Sequence, residues 1–133
     1  MKPLYDTPDD FEAEIRIMRE NEGGRISPPY NGIRWDFAYD GDIIKETGIY
    51  MIWPDFINEK GNSLPTDKAL SIDKILKARM IIISDEMREK IHRDRIVEGL
   101  HFFCHEGSRR VAEGIVTKIT GLHLERKKIK HRT

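Results

Sequence analysis

The sequence has a single cysteine, no long apolar run and no excess of charge of either sign. One cysteine, Cys104, cannot form a disulfide within the chain, which favours a reducing compartment. No apolar stretch approaches the roughly 20 residues that a membrane-spanning helix needs, and the N-terminus lacks the apolar core of a signal peptide. We therefore expect a cytoplasmic protein with no membrane partner.

The balance of charge also limits the partners. The 23 Lys and Arg residues equal the 23 Asp and Glu residues, so the formal net charge is zero. No global field then draws the protein to nucleic acid, and any such attraction has to be local. A length of 133 residues, with 38% hydrophobic and 35% charged residues, is typical of one polar domain with one core.

Recognisable catalytic motifs are also missing. The chain has no Gly-x-x-x-x-Gly-Lys-Ser/Thr loop, so we expect neither a bound nucleotide nor GTP hydrolysis. His101 and His105 lie on one face of a predicted strand, but no carboxylate or cysteine is placed with them by sequence, which argues against a metal site. Cys104 has no base fixed beside it and is expected in the core. We expect no enzymatic activity and no cofactor, and a hydrolase or metal enzyme is the least favoured hypothesis.

What the sequence does contain is a series of short strand patterns separated by Gly and Pro turns. In residues 11–19, four apolar residues, Phe11, Ala13, Ile15 and Ile17, alternate with Glu12, Glu14, Arg16 and Met18. This period of two predicts a half-buried strand. Similar patterns predict six further strands, at 33–39, 43–44, 49–53, 79–83, 100–105 and 110–119. The strand at 49–53 is expected to stop at Pro54. Together they indicate an all-β sandwich or barrel.

Two connecting segments leave alternatives open. Residues 67–76 fit either a short helix or a connection over the sheet. Ser84 begins a stretch with acids in its first turn, which fits either a helical turn through about Lys90 or a long hairpin connection.

Four motifs, in this order, resemble the C-terminal (third) domain of elongation factor Tu. They are FEAE at 11–14; EGGR at 22–25, continuing to Pro28, Asn31-Gly32, Arg34 and Phe37; IH at 91–92 with EGLHF at 98–102; and EGSRRVAEG at 106–114, with Val116 and Lys118 beyond. The resemblance covers residues 10–121. It implies an all-β fold, a small antiparallel β-barrel of that domain's type standing alone without a GTPase domain.

The sequence departs from the family pattern at several places. Residues 58–94 are longer than in the factor, which implies a long inserted loop or short helix. Ser108 stands where the family has a second glycine, Trp35 where it has a proline, and residues 38–42 replace a threonine-rich turn. We therefore expect a flexible lead-in at 1–10, the barrel at 11–121 with an insertion at about 58–94, and a basic tail at 122–133.

The resemblance implies binding rather than chemistry, because the family's third domain contacts the T-stem of aminoacyl-tRNA, the GTPase domain and the exchange factor. It suggests a non-catalytic module that binds tRNA, ribosomal RNA or a protein partner of translation. The residues that would bind RNA or a partner are Arg25, Arg34, Arg109, Arg110 and Lys118. In the alternative interpretation the arginines cap turns or pair with Glu22 and Glu106.

A second functional hypothesis is a protein-interaction scaffold with no translational role, whose new surface is the 58–94 segment. The basic tail fits either RNA phosphates or a solvated, disordered end. Because Asp6, Asp9 and Asp10 make the N-terminus acidic, the two ends are also expected to attract one another. The oligomeric state is left open.

Overall fold

Six strands form a closed barrel in the part of the chain that the structure describes. This computed structural model describes residues 3–42 and 50–127. The strands are β1 (Phe11–Ile17), β2 (Trp35–Tyr39), β3 (Tyr50–Ile57), β4 (Ile75–Ile82), β5 (His101–Glu106) and β6 (Arg109–Ile119). Their order around the barrel is β1-β4-β3-β2-β5-β6, and every neighbouring pair, including β6 with β1, is antiparallel. The prediction of a small, all-β antiparallel barrel is confirmed.

The alternation of apolar residues places the core inside the barrel. The four apolar residues of β1 are at most 1% exposed, as predicted from their period of two. Aromatic rings fill the centre, where Phe37 and Phe102 stack with centroids 4.8 Å apart. Burying each such side chain stabilises the fold by about 2 kcal/mol relative to leaving it in water. Cys104 is fully buried in this core, as expected.

Strand β3 runs through Pro54 to Ile57, so the expected stop at Pro54 is wrong. The ladder with β2 covers only Tyr50 to Ile52, so Pro54 has no partner in β2 on that side. On the other side Pro54 lies opposite Met80 of β4. The carbonyl of Met80 accepts a hydrogen bond from the backbone N–H of Asp10 at 2.8 Å, so it needs no donor from residue 54. No ladder hydrogen bond is lost, which is the condition under which a strand tolerates proline.

The segment expected to hold an insertion contains a loop, a barrel strand and a helix. Residues 58–74 form a connection rather than a helix, and β4 begins at Ile75, earlier than the predicted residue 79. Helical residues then run from 85 to 95, as α-helical turns Asp85–Met87 and Arg93–Arg95 around a π-helical turn, Arg88–His92. The hydroxyl of Ser84 accepts from the N–H of Met87 at 3.2 Å, which confirms the helical alternative. The strand expected at 43–44 lies outside the described residues.

Both ends of the described chain contact the rest of the molecule, although residues 123–125 are exposed. Tyr5 stacks on Trp53 of β3 with ring centroids 5.0 Å apart. Leu122 is fully buried. The carboxylate of Asp10 pairs with Arg126 at 2.8 Å, which confirms that the acidic and basic ends attract one another.

None of the helices in the described ranges is long and apolar enough to cross a membrane.

Candidate functional site

Four of the five predicted binding residues lie at one end of the barrel, around the β5–β6 hairpin. We call this the arginine end, defined by Arg25, Arg34, Arg109 and Arg110. The backbone of Arg109 lies opposite that of Glu106 in the hairpin ladder, and the side chain of Glu106 contacts Arg25. Arg34 directly precedes β2, which runs beside this end of β5 through the pairing of Asp36 with His105. Residues more than 80 positions apart in sequence therefore share one surface.

Lys118 does not belong to this surface. It lies nine residues after Arg109 on β6, which at the rise of an extended strand puts it about 30 Å away. There it is exposed and pairs across the ladder with Glu12 of β1. The structure thus separates Lys118 from the four arginines.

Glu106 holds Arg25 and Trp35 in place at the arginine end. Its Oε2 accepts a hydrogen bond from Trp35 Nε1 at 2.9 Å and lies 3.4 Å from Arg25 Nε. The indole is only 1% exposed, so its N–H requires such a partner. For Arg25 the alternative interpretation, pairing with Glu106, is therefore confirmed. Glu22 instead pairs with Arg16 at 2.9 Å.

Arg110 lies flat against an aromatic ring. Its guanidinium carbon is 3.5 Å from the ring centroid of Phe103 on β5, well within cation–π distance. Arg110 is exposed, whereas Phe103 is half-buried. The ring therefore supports the guanidinium from the protein side and leaves the solvent side uncovered.

His105, opposite Arg110, is neutral at physiological pH. Its side chain is 7% exposed, and its Nδ1 is buried without a hydrogen-bond partner among the described residues. Burial, and then the charge of Arg110, lower the pKa of His105 below its usual value, against a smaller effect of Asp36. Burial raises the pKa of Asp36, opposed by Arg34. Among these side chains, the four guanidinium groups of the arginine end outnumber the two carboxyl groups of Asp36 and Glu106.

The described residues offer little for catalysis or metal binding. No group of three or more His, Cys, Asp or Glu in residues 3–42 and 50–127 is arranged to hold a metal ion. Burial raises the pKa of the Cys104 thiol far above its usual value, so no thiolate forms. Tyr39 Oη and His92 Nδ1 are 2.6 Å apart, but both residues are only 2% exposed. This pair has no access to a substrate.

Sequence reasoning missed the supporting residues. Phe103 was not recognised as the platform beneath Arg110, nor Glu106 as the partner of Trp35. The signal for Phe103 is the register of the hairpin, which includes a bulge between Cys104 and His105 that the sequence pattern does not reveal. The signal for Glu106 is the pairing of β2 with β5.

No protein-family model matches the chain. The functional argument for the arginine end therefore depends on its residues and their geometry.

Proposed function

We propose that this protein is a non-catalytic binding module of the translation machinery, related to the third domain of elongation factor Tu, and that its arginine end contacts tRNA or ribosomal RNA. The observation that carries the proposal is the convergence of four arginines on one end of a barrel whose net charge is zero. Because the protein has no net charge, any RNA-binding surface on it needs a local cluster of basic residues, and the arginine end is such a cluster.

The state of the individual arginines supports binding of an anion. Within the described residues Arg34, Arg109 and Arg110 form no ion pair, and all three are exposed. An exposed, unpaired guanidinium presents its planar fork of donors to solvent, and phosphate oxygens match that geometry. Each phosphate so neutralised releases counterions, which makes the binding dependent on salt.

A protein-interaction scaffold remains the alternative, and one observation favours it. Ile75, at the start of β4 within the 58–94 segment, is 63% exposed. Ile115 on β6 is 38% exposed, and the two lie on either side of β1, where Ile75 pairs with Arg16 and Ile115 with Glu14. Exposed apolar residues with polar residues beside them are a feature of protein interfaces.

Co-purification with RNase separates these functions. The tagged protein is recovered from a lysate of its host at low and at moderate salt, with and without RNase, as wild type and as the double variant R109A/R110A. The matched control K77A/K118A removes two exposed positive charges from the far part of the barrel. We expect tRNA or ribosomal RNA with the wild type and the control, lost at moderate salt and in R109A/R110A. A protein that persists through RNase and salt, with no RNA in any sample, would contradict the proposal and support the scaffold.

A further inference from the structure

We propose that the RNA at the arginine end is single-stranded where it is bound, and that one unpaired base stacks on the outer face of the Arg110 guanidinium. This inference depends on the proposed function, because it specifies the class of RNA that the same surface binds. Its starting point is the pairing of Arg110 with Phe103.

The guanidinium of Arg110 has one covered face and one free face. Phe103 covers the inner face at 3.5 Å, and the exposure of Arg110 leaves the outer face to solvent. A guanidinium is planar and delocalised, so a second flat π-system can stack on the opposite face. A nucleobase is such a system, and stacking of unpaired bases on aromatic and arginine planes is a general mode of RNA recognition.

Both partners of the platform are on paired strands, which fixes their backbone positions. Phe103 lies between Ala38 of β2 and Glu113 of β6. The bulge makes Val111 an extra residue of β6, so Arg110 takes the place opposite His105, diagonal to Phe103. An arginine held in this way loses less side-chain entropy on binding than one that is free in solvent.

The neighbouring arginines supply contacts for the backbone on either side of the base. Arg109 is adjacent at the hairpin turn, and Arg34 lies at the entrance to β2. Both are exposed, so they can reach phosphates while Arg110 holds the base. In duplex RNA the bases are stacked internally, so a duplex can use the charges of this surface but not its flat face.

Fluorescence anisotropy with three labelled RNA probes of equal length tests the inference. The probes are an unstructured single strand, an abasic strand with the same phosphates and a duplex. Two substitutions preserve charge and remove the planar group: R110K at the stack and the matched control R109K beside it. F103L removes the ring under Arg110 and keeps an apolar side chain.

We expect R110K and F103L each to weaken binding of the single strand by about tenfold, the scale of one base-stacking contact. R109K should change it by less than about threefold, since charge alone acts there. The abasic strand and the duplex should show no difference between R110K and R109K. Thermal melting of the four proteins reports whether each variant is folded.

Equal binding of R110K and R109K to the single strand, or an equal loss with the abasic strand, would overturn the stacking inference while RNA binding itself stands. Absence of binding of any of the three RNA probes by the wild-type protein at low salt would overturn the proposed function as well.

Discussion

Gly114 shows how a single residue sets the packing inside the barrel. It lies on β6, opposite Phe102, with its absent side chain directed at that ring. A Cβ atom at this position would be 2.4 Å from Cζ of Phe102, closer than real Cβ contacts allow. Phe102 is fully buried and stacked on Phe37, so it has little room to move. The glycine is therefore required by the core rather than by a turn.

We predict that G114A lowers the free energy of unfolding by about 2 kcal/mol, the usual cost of overpacking a core. Urea denaturation of wild type and variant measures this cost. In an F102L background, where the ring is absent, the same substitution should cost clearly less. Equal costs in the two backgrounds would show that the contact with Phe102 is not the cause.

His92 is the residue that links stability to pH. It is buried against the rings of Tyr39, Tyr50 and Phe37, with Arg95 nearby. Burial, and secondarily the charge of Arg95, lower its pKa from 6.5 to about 4. The unfolded chain therefore takes up the proton first, at about pH 6.5. The contribution of neutral His92 is fully present above that pH and is lost as the pH falls towards 4.

We predict that His92 alone lowers the free energy of unfolding by about 2 kcal/mol between about pH 7.5 and about pH 5, from 1.36 kcal/mol per pH unit below pH 6.5. Urea denaturation at the two pH values measures the change. His105, whose pKa is also lowered, contributes in the same direction. The variant H92Q keeps His105 and should therefore show a smaller dependence. An unchanged dependence in H92Q would exclude His92 as the main source.

At the scale of elements, a buried carboxylate joins three parts of the chain. Asp10, immediately before β1, is 1% exposed and pairs with Arg88 of the helix at 2.7 Å and with Arg126 of the C-terminal segment at 2.8 Å. Arg88 also donates to the carbonyls of Gly121 and Leu124, both at 2.6 Å. These contacts hold the helix and the C-terminal segment to the first strand.

We predict that D10N lowers the free energy of unfolding by about 3 kcal/mol, because buried Arg88 loses its carboxylate partner and buried Arg126 keeps only the carboxylate of Asp85. The matched control is E86Q, which also neutralises an acid paired with a cation, Lys90, but on the exposed face of the helix. Thermal and urea unfolding of both variants make the comparison. A loss in D10N no greater than in E86Q would contradict the structural role of Asp10.

The strands were predictable from the sequence, but their limits were not. The alternation in β1 predicted its buried face because one side of a barrel strand always faces the core. The start of β4 was missed because Ile75 is exposed, and its pairing with Arg16 of β1, rather than burial, places it in the strand. The passage of β3 through Pro54 likewise depends on a missing neighbour, which local pattern does not show.

At the scale of the whole molecule, the distribution of charge distinguishes one end of the barrel. The resemblance implied Arg25, Arg34, Arg109, Arg110 and Lys118 as binding residues, and the four arginines lie at one end of the barrel. Lys118 was included because it follows the EGSRRVAEG motif, yet it lies about 30 Å from Arg109 along the extended strand. The docking of the termini was predicted only as an attraction between charges. Its geometry depends on buried partners distant in sequence, such as Asp10 and Arg88.

The salt dependence of RNA binding tests the central claim, that the arginine end is the RNA-binding surface. The slope of log K against log salt for a single-stranded RNA is measured for wild type, R109A/R110A and K77A/K118A. Arg109 contacts a phosphate, so its removal should reduce the slope by about 0.7. The loss of Arg110, which stacks on a base, should lower the affinity more than the slope, and the control should keep the wild-type slope. An unchanged slope in R109A/R110A, or the same reduction in K77A/K118A, would contradict the account.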